Sequence, residues 1–534
     1  MSDTVSLQAA PRDALIARLE QDRRYDLAVV GGGATGLGVA LDAAARGLSV
    51  ALVESHDFAK GTSSRSTKLV HGGVRYLAQG DVALVREALH ERATLIRNAP
   101  HLARPLAFLM PAYAWWERPF YGAGLKLYDL MAGRAGLGPT RFWSRAHTLR
   151  RLPTLRSEGL RGAIEYWDGQ FDDARLALAL ARTAAARGAL AVNYCAATGL
   201  LYENGKVAGL HCEDRETGRR HTVRAGCVVN AAGVWVDELR AQDGQALGMA
   251  TRPLVAPSQG VHLVVDREFW PADHALLVPR TTDGRVLFAV PWLGKTVLGT
   301  TDTPRHDLAR EPLPFAQEIR FILGESGRYL RRAPTPADVR SVWVGLRPLV
   351  RPADGDDAET QRLSREHTVS ISRSGLVTVT GGKWTTYRAM AEDVVGHCVS
   401  AGLLRNAGPC ATATLPLAGS PRPRTPAVAL SRPPGLHEYG SDAETLRLLP
   451  GADRELTRGL TEATVRFAAR YEYARTVEDV LARRFRLLFL DAAEAARQAG
   501  EVARILHEET GRDPQEEAFR ELARQYTTLP DGAA

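Results

Sequence analysis

Gly31, Gly33 and Gly36, followed by Glu54, are the residues whose types and spacing most directly imply chemistry. The first glycine permits a tight turn, the second lets a pyrophosphate approach the backbone, and the third lets a helix pack closely on a strand. A carboxylate at the tip of the next strand accepts hydrogen bonds from ribose hydroxyls. Together they hold a dinucleotide. Glu54 argues against NADP, whose extra phosphate it would repel, but the motif alone does not choose between NAD and FAD. Gly381-Gly382 offers a second place for close backbone approach to a cofactor. Lys383 follows it in a chain with six lysines among 68 basic residues, so a compact ammonium is expected where a guanidinium would not fit. His262 lies in the run QGVHLVV, pointing to the face opposite Val261 and Leu263, where a histidine serves either structure or proton transfer.

These residues need particular elements to position them. Leu27 to Val30 is continuously apolar, as expected of a strand covered on both faces. A helix pattern from Leu37 to Arg46 stops at Gly47, and a second buried strand runs from Ser49 to Val53. Strand, glycine turn, helix, strand and acid, the acid roughly 20 residues on, give the context that makes a glycine triplet specific. Further along, a helix is expected from Val82 to Leu102, and a capped helix begins at Asp172 or Asp173 and ends at Gly188. Two strands join through Asn204-Gly205, and a buried strand, Cys227 to Asn230, ends at Ala231-Ala232-Gly233. Residues 253–303 read as an antiparallel sheet.

Composition bounds the class. With 534 residues the chain has room for two or three domains, and 45% hydrophobic with 24% charged residues fits a soluble globular protein. A net charge of +7 without a long basic run suits anionic small substrates or an anionic membrane surface, and no nucleic-acid partner is expected. Five scattered cysteines indicate neither a metal site nor a disulfide framework, pointing to a reducing compartment. The start carries charges where a signal peptide needs an apolar core, and no run approaches the ~18 apolar residues of a spanning helix. A cytoplasmic protein, or one bound to the inner face of the cell membrane, is therefore expected. Residues 105–131 are the most apolar and aromatic segment. Trp115, Trp116 and Phe120 with Arg118 and Lys126 suit an interfacial patch, and packing under a substrate cap explains the same composition.

After Glu54 comes SHDFAKGTSSRSTKLVHGGVRYL, small and hydroxyl-rich and then basic. This segment closely resembles the flavin-wrapping loop of the respiratory, FAD-dependent glycerol-3-phosphate dehydrogenases, in the D-amino-acid oxidase superfamily. The strings DDARL, NAAGVW, QGVHLVV, RSVWVGLRPLVR, SREH, VTVTGGKWTTYR and ARTVEDVLARRFRLLFLDA resemble the same family, in order, from about Tyr25 to the last helices.

The resemblance implies an α/β architecture: a Rossmann-like FAD-binding domain, an inserted antiparallel-sheet substrate domain and a C-terminal all-helical domain. On this reading residues 1–25 are an extension and 26–405 the oxidoreductase region. Within it, 26–80, 160–240 and 340–400 hold FAD, while 81–159 and 241–339 form the cap. A proline-rich linker spans 406–435, and the helical domain 436–534. The implied activity is oxidation of glycerol 3-phosphate to dihydroxyacetone phosphate, with FAD reduced and electrons passed to a membrane quinone. Cofactor contacts are then expected from Gly31, Gly33, Gly36, Glu54, Thr62, Ser63, Ser64, Lys68, His71, Gly72, Gly233, Gly381 and Gly382. Arg75, Tyr76 and Arg365 are expected at the substrate, and His262, Arg347 and Lys383 at the reacting centre. His262 is one candidate base; a cluster of cations lowering the hydroxyl's pKa is another. A glycerol-3-phosphate oxidase using O2, another superfamily member acting on amines or hydroxy acids, and a non-catalytic FAD- or NAD-binding sensor are the alternatives. The oligomeric state is open, with a homodimer as one option.

Overall fold

The computed structural model describes residues 7, 9–74, 81–351, 366–421 and 427–533. The strand Arg24–Val30 pairs in parallel with Val50–Val53 on one side and Arg220–Asn230 on the other. Between the first two lies the helix Ala34–Ala45, giving the expected βαβ unit. Leu190–Val192 and Leu376–Gly381 extend the sheet in parallel, and three antiparallel strands complete its eight. Leu27, Ala28 and Val29 are wholly buried, which explains their unbroken apolar run. Asn204 and Gly205 both take positive φ in the expected hairpin turn. Asp172 caps its helix by accepting from the Arg175 amide.

A second, ten-stranded sheet forms the other half of the oxidoreductase region. Toward one end of it the long strand Val255–Asp266 runs antiparallel to both Lys295–Gly299 and Ser341–Val350. It is antiparallel except where Ala275–Val278 meets Ala103–Ala112. Three boundaries differ from the sequence reading. Gly162–Phe171, Ser341–Val350 and the short strand Leu69–Val70 fall within segments assigned to FAD binding, yet all three are strands of the second sheet. Their alternation is clear locally, but the sheet they join is decided by partners far away in sequence. Residues 105–131 also divide: Ala103–Ala112 is a strand and Glu117–Ala132 a helix.

The C-terminal region packs one apolar face directly on this second sheet, with Leu487 to Leu490 sharing a core with Trp292 and Trp343. It is helical apart from a two-stranded ladder, Glu455–Thr457 with Leu460–Thr461. The expected Thr476–Asp479 capping box is present and opens a π-helix, Asp479–Arg484. Arg483 and Arg484 are buried there against Asp57. Cys195 lies beside Cys212, and Cys227 beside Cys398, as buried free thiols.

Candidate functional site

The site begins at the first glycine turn. Gly31 has φ +109°, and a Cβ there would come 2.6 Å from the Ala231 carbonyl oxygen. Gly36 packs its Cα against the Gly31 carbonyl, leaving no room for a methyl group. Gly33 heads the helix Ala34–Ala45, whose N-terminus brings the positive end of its dipole to the turn. Glu54 accepts from the Gly32 amide at 2.7 Å and the His56 amide at 2.9 Å, so its carboxylate is fixed at the strand tip.

The hydroxyl-rich loop closes over this turn. Ser63 Oγ accepts from the Ala34 amide at 2.9 Å, and Thr62 donates to the Leu346 carbonyl at 2.5 Å. From the far side, Gly381 and Gly382 both have positive φ, and a Cβ on Gly381 would meet the Glu366 carbonyl oxygen at 2.5 Å. Trp384 donates from Nε1 to the Ser63 carbonyl at 2.9 Å, tying the second glycine turn to the loop. The result is a cavity of about 1490 Å³ running from Glu54 and Gly33, past Gly233 and His71, to Gly382 and Lys383. Bare backbone, a helix N-terminus and a fixed carboxylate in one elongated cavity fit the expected FAD.

At its other end the cavity meets the second sheet. His262 and Trp343 face each other across neighbouring strands, and the imidazole stacks on the indole with centroids 4.1 Å apart. His262 Nε2 lies 2.9 Å from Thr67 Oγ1, while Nδ1 is buried without a partner among the described residues. Burial above all, then the charges of Lys68 and Arg347, hold its pKa well below the usual histidine range, so the ring is neutral.

Arg347 is held on several sides. It donates to the carbonyls of Gln259 at 3.1 Å and Thr301 at 2.9 Å, to Thr300 Oγ1 at 3.3 Å and to Asp302 at 3.5 Å. Asp302 in turn accepts from Ser258. The guanidinium is therefore a fixed positive charge at the cavity wall, and Lys383 supplies a second.

Four expected cofactor residues do not line the cavity: Gly36, packed on the Gly31 carbonyl, and Lys68, Ser64 and Gly72. Lys68 is fully buried, 2.8 Å from Asp173 and 4.5 Å from the Trp343 ring centre, holding the loop to the helix Asp173–Ala186. Ser64 is buried, and its carbonyl accepts from both Lys68 and Arg486. Gly72 packs against Tyr128 and Leu89. The family resemblance implies cofactor contacts for Lys68, Ser64 and Gly72; their side chains or Cα atoms pack into the protein instead. Arg75, Tyr76 and Arg365 lie outside the described residues. Thr67 and Trp235, each within a string that carries the resemblance, and Asp302 and Arg310, which nothing local marks, also line the cavity beyond the expected site residues. Among the described residues no group of three or more His, Cys, Asp or Glu side chains is placed to hold a metal ion.

The family model of FAD dependent oxidoreductases matches residues 26–388, and that of the C-terminal domain of alpha-glycerophosphate oxidase matches 410–517. The mitochondrial glycerol-3-phosphate dehydrogenase of Bos taurus is 40% identical over 98% of this chain and 76% of its own length. That of Mus musculus is 41% identical over 95% of this chain and 74% of its own. The solved structure of glycerol-3-phosphate dehydrogenase from Bacillus halodurans complexed with FAD has a TM-score of 0.76 at 31% identity, covering 97% of this chain and 98% of that one. L-alpha-glycerophosphate oxidase from Mycoplasma pneumoniae, at 16% identity and a TM-score of 0.55 over 70% of this chain and 94% of its own, shares the fold.

Proposed function

The chain belongs to the FAD-dependent oxidoreductases of the glycerol-3-phosphate dehydrogenase family, and from that premise we propose how its residues carry the reaction and where the electrons go. It oxidises glycerol 3-phosphate with FAD as cofactor. Bound FAD supplies the acceptor for the hydride leaving the substrate's C2 carbon. The C2 hydroxyl must lose its proton as that hydride departs, and His262, kept neutral by burial, takes it at Nε2 beside Thr67. Arg347 and Lys383 stabilise the negative charge that develops on the C2 oxygen. Arg347 suits this because its acceptors hold it still before the substrate arrives. Arg75, Tyr76 and Arg365 bind the phosphate.

One observation carries this assignment: a dinucleotide cradle and a cationic, histidine-bearing wall of the second sheet share a single cavity. Anaerobic addition of glycerol 3-phosphate should bleach the flavin's visible absorbance, with dihydroxyacetone phosphate formed one for one. A flavin that stays oxidised would defeat the reading.

The acceptor we assign is a quinone in the membrane. Among the described residues no helix is long and apolar enough to cross a bilayer. The helix Glu117–Ala132 and the residues before it instead expose Trp115, Trp116, Phe120, Leu127 and Leu130. Phe120 and Leu127 also line the flavin cavity, so an apolar surface and the mouth of the site adjoin. This supports reversible attachment to the cytoplasmic face of the membrane, with the quinone entering beside the helix. Lys126 donates to the Thr140 carbonyl at 2.7 Å, so its ammonium is already engaged within the chain. Turnover with a water-soluble quinone and negligible peroxide release are the expected result. Rapid oxygen consumption at the same rate would favour the oxidase alternative.

A further inference from the structure

The cap sends one loop across to the dinucleotide end of the cavity. Residues 305–313 leave the strand Thr303–Pro304 and return to the helix Ala316–Tyr329. Arg305 closes the loop's base by donating to the Leu313 carbonyl at 2.9 Å and to Gln259 Oε1 at 2.6 Å. Pro304, Pro312 and Pro314 stiffen its two ends. It is a compact loop with its ends tied together.

At its tip three contacts cross to other parts of the molecule. Trp235, which follows Gly233 in the dinucleotide sheet's turn, donates from Nε1 to the Leu308 carbonyl at 3.1 Å. Arg310 lays its guanidinium 3.7 Å from the centre of the Trp235 ring. Glu311 is gripped by Arg65 at 2.7 Å and Lys60 at 2.9 Å, both from the hydroxyl-rich loop. Tyr526, from the last helix, donates to Glu311 at 3.3 Å, and Glu478 holds Lys60 from the same C-terminal region. Glu311 thus joins cap, dinucleotide region and C-terminal region.

Arg310 has no hydrogen bond or ion pair to another described residue, yet it lines the cavity, where Glu54 and Glu238 offset its charge. Glu54 marks the ribose and Gly33 the pyrophosphate. A planar guanidinium beside them, with donors unspent and one face resting on an indole, matches ribose and phosphate oxygens in both charge and geometry. We infer that residues 305–313 form a strap that locks FAD in place, with Arg310 contacting the adenosine-diphosphate half and Glu311 fastening the strap. This rests on FAD being the bound group.

The test is the rate at which flavin leaves the purified holoenzyme on dilution, followed by the rise in flavin fluorescence, with thermal unfolding measured alongside. Arg310→Ala should release FAD at least tenfold faster with an unchanged unfolding temperature. Arg310→Lys should recover only part of the retention, because an ammonium keeps the charge and loses the fork. Glu311→Gln should also speed release and make it less sensitive to salt, since the fastening charges are removed. Release within twofold of the parent for both Arg310→Ala and Glu311→Gln would overturn the strap. Where Arg310→Ala unfolds early, Arg310→Gln at the same position decides by the same twofold criterion. A parent protein purified without any flavin would instead sink the functional assignment itself, a distinguishable failure.

Discussion

His262 and Trp343 form a directly opposed cross-strand pair, their rings stacked at 4.1 Å with planes within 19° of each other. Phe489 of the C-terminal region packs against Trp343 with ring centroids 5.2 Å apart. The proposed base is therefore oriented by an indole, and that indole is backed by a helix distant in the sequence. C-terminal substitutions such as Phe489→Ala should lower kcat without touching the cavity.

His262 should stay neutral throughout the mildly acidic range. Burial, Lys68 and Arg347 depress its pKa, so as pH falls through about 6.5 the unfolded chain takes up the proton before the folded one does. This group's contribution to stability is thus present above that pH and lost below it. Isotope-labelled histidine NMR of the holoenzyme should show a neutral ring at pH 6; titration at the ordinary value would contradict the burial argument. His262→Gln should cost about 10²–10⁴-fold in kcat, the usual range for a general base.

Arg347→Ala should lower kcat/KM for glycerol 3-phosphate by about 2–4 kcal/mol while FAD content stays near normal. Arg347→Lys should recover little. The acceptors around the guanidinium are Gln259, Thr300, Thr301 and Asp302, and a single ammonium cannot meet them all. Near-normal kcat/KM in the alanine variant would remove Arg347 from the reacting centre.

Two glycines of one motif should fail differently. Gly36→Val drives a side chain into the Gly31 carbonyl and should prevent folding. Gly33→Val meets only the Ser63 side chain, so the protein should fold and lack colour. Circular dichroism and flavin absorbance separate the two outcomes, and a yellow Gly33→Val protein would refute the cradle.

Lys68→Met should act on stability first. Burial pushes the Asp173 carboxyl up, but Lys68 and Arg486 outweigh it and hold its pKa low. Removing the ammonium leaves a buried carboxylate half-compensated, a loss of about 3–5 kcal/mol readable by denaturant titration. Lys68→Arg should not rescue it, because Trp343, Trp292 and Phe489 enclose the ammonium within 4.5, 5.2 and 5.4 Å of their ring centres. An unchanged unfolding midpoint would return Lys68 to the cofactor.

Trp115→Glu combined with Trp116→Glu should release the protein from anionic liposomes and cut quinone reduction, while activity with a soluble dye persists. Trp115 is 76% exposed, so its loss should not disturb the core. Undiminished liposome binding, or equal loss of dye and quinone activity, would exclude this surface.

The dinucleotide turn was legible because every part of it is local: strand, three glycines, helix and acid within thirty residues of chain. The side to which His262 points was legible from alternation alone. What it stacks on was not, because Trp343 reaches it through a strand pairing some eighty residues away in sequence. Lys68 misled for the same reason. Its loop resembles one that wraps a flavin, and only the fold brings Asp173 beneath it. Arg310 carries no mark in the sequence, since its importance comes from Trp235 and Glu54 meeting it in space.

The short strand Leu69–Val70 has a mechanical consequence. It belongs to the loop that wraps the cofactor, yet it pairs with Gly169 and Gln170 at the edge of the ten-stranded sheet. Thr62 adds a bond to Leu346, and the Gly72 amide one to Asp168. A hinge between the two halves would have to break these contacts, so the seam resists their separation. Heating should then melt the oxidoreductase region in a single cooperative step.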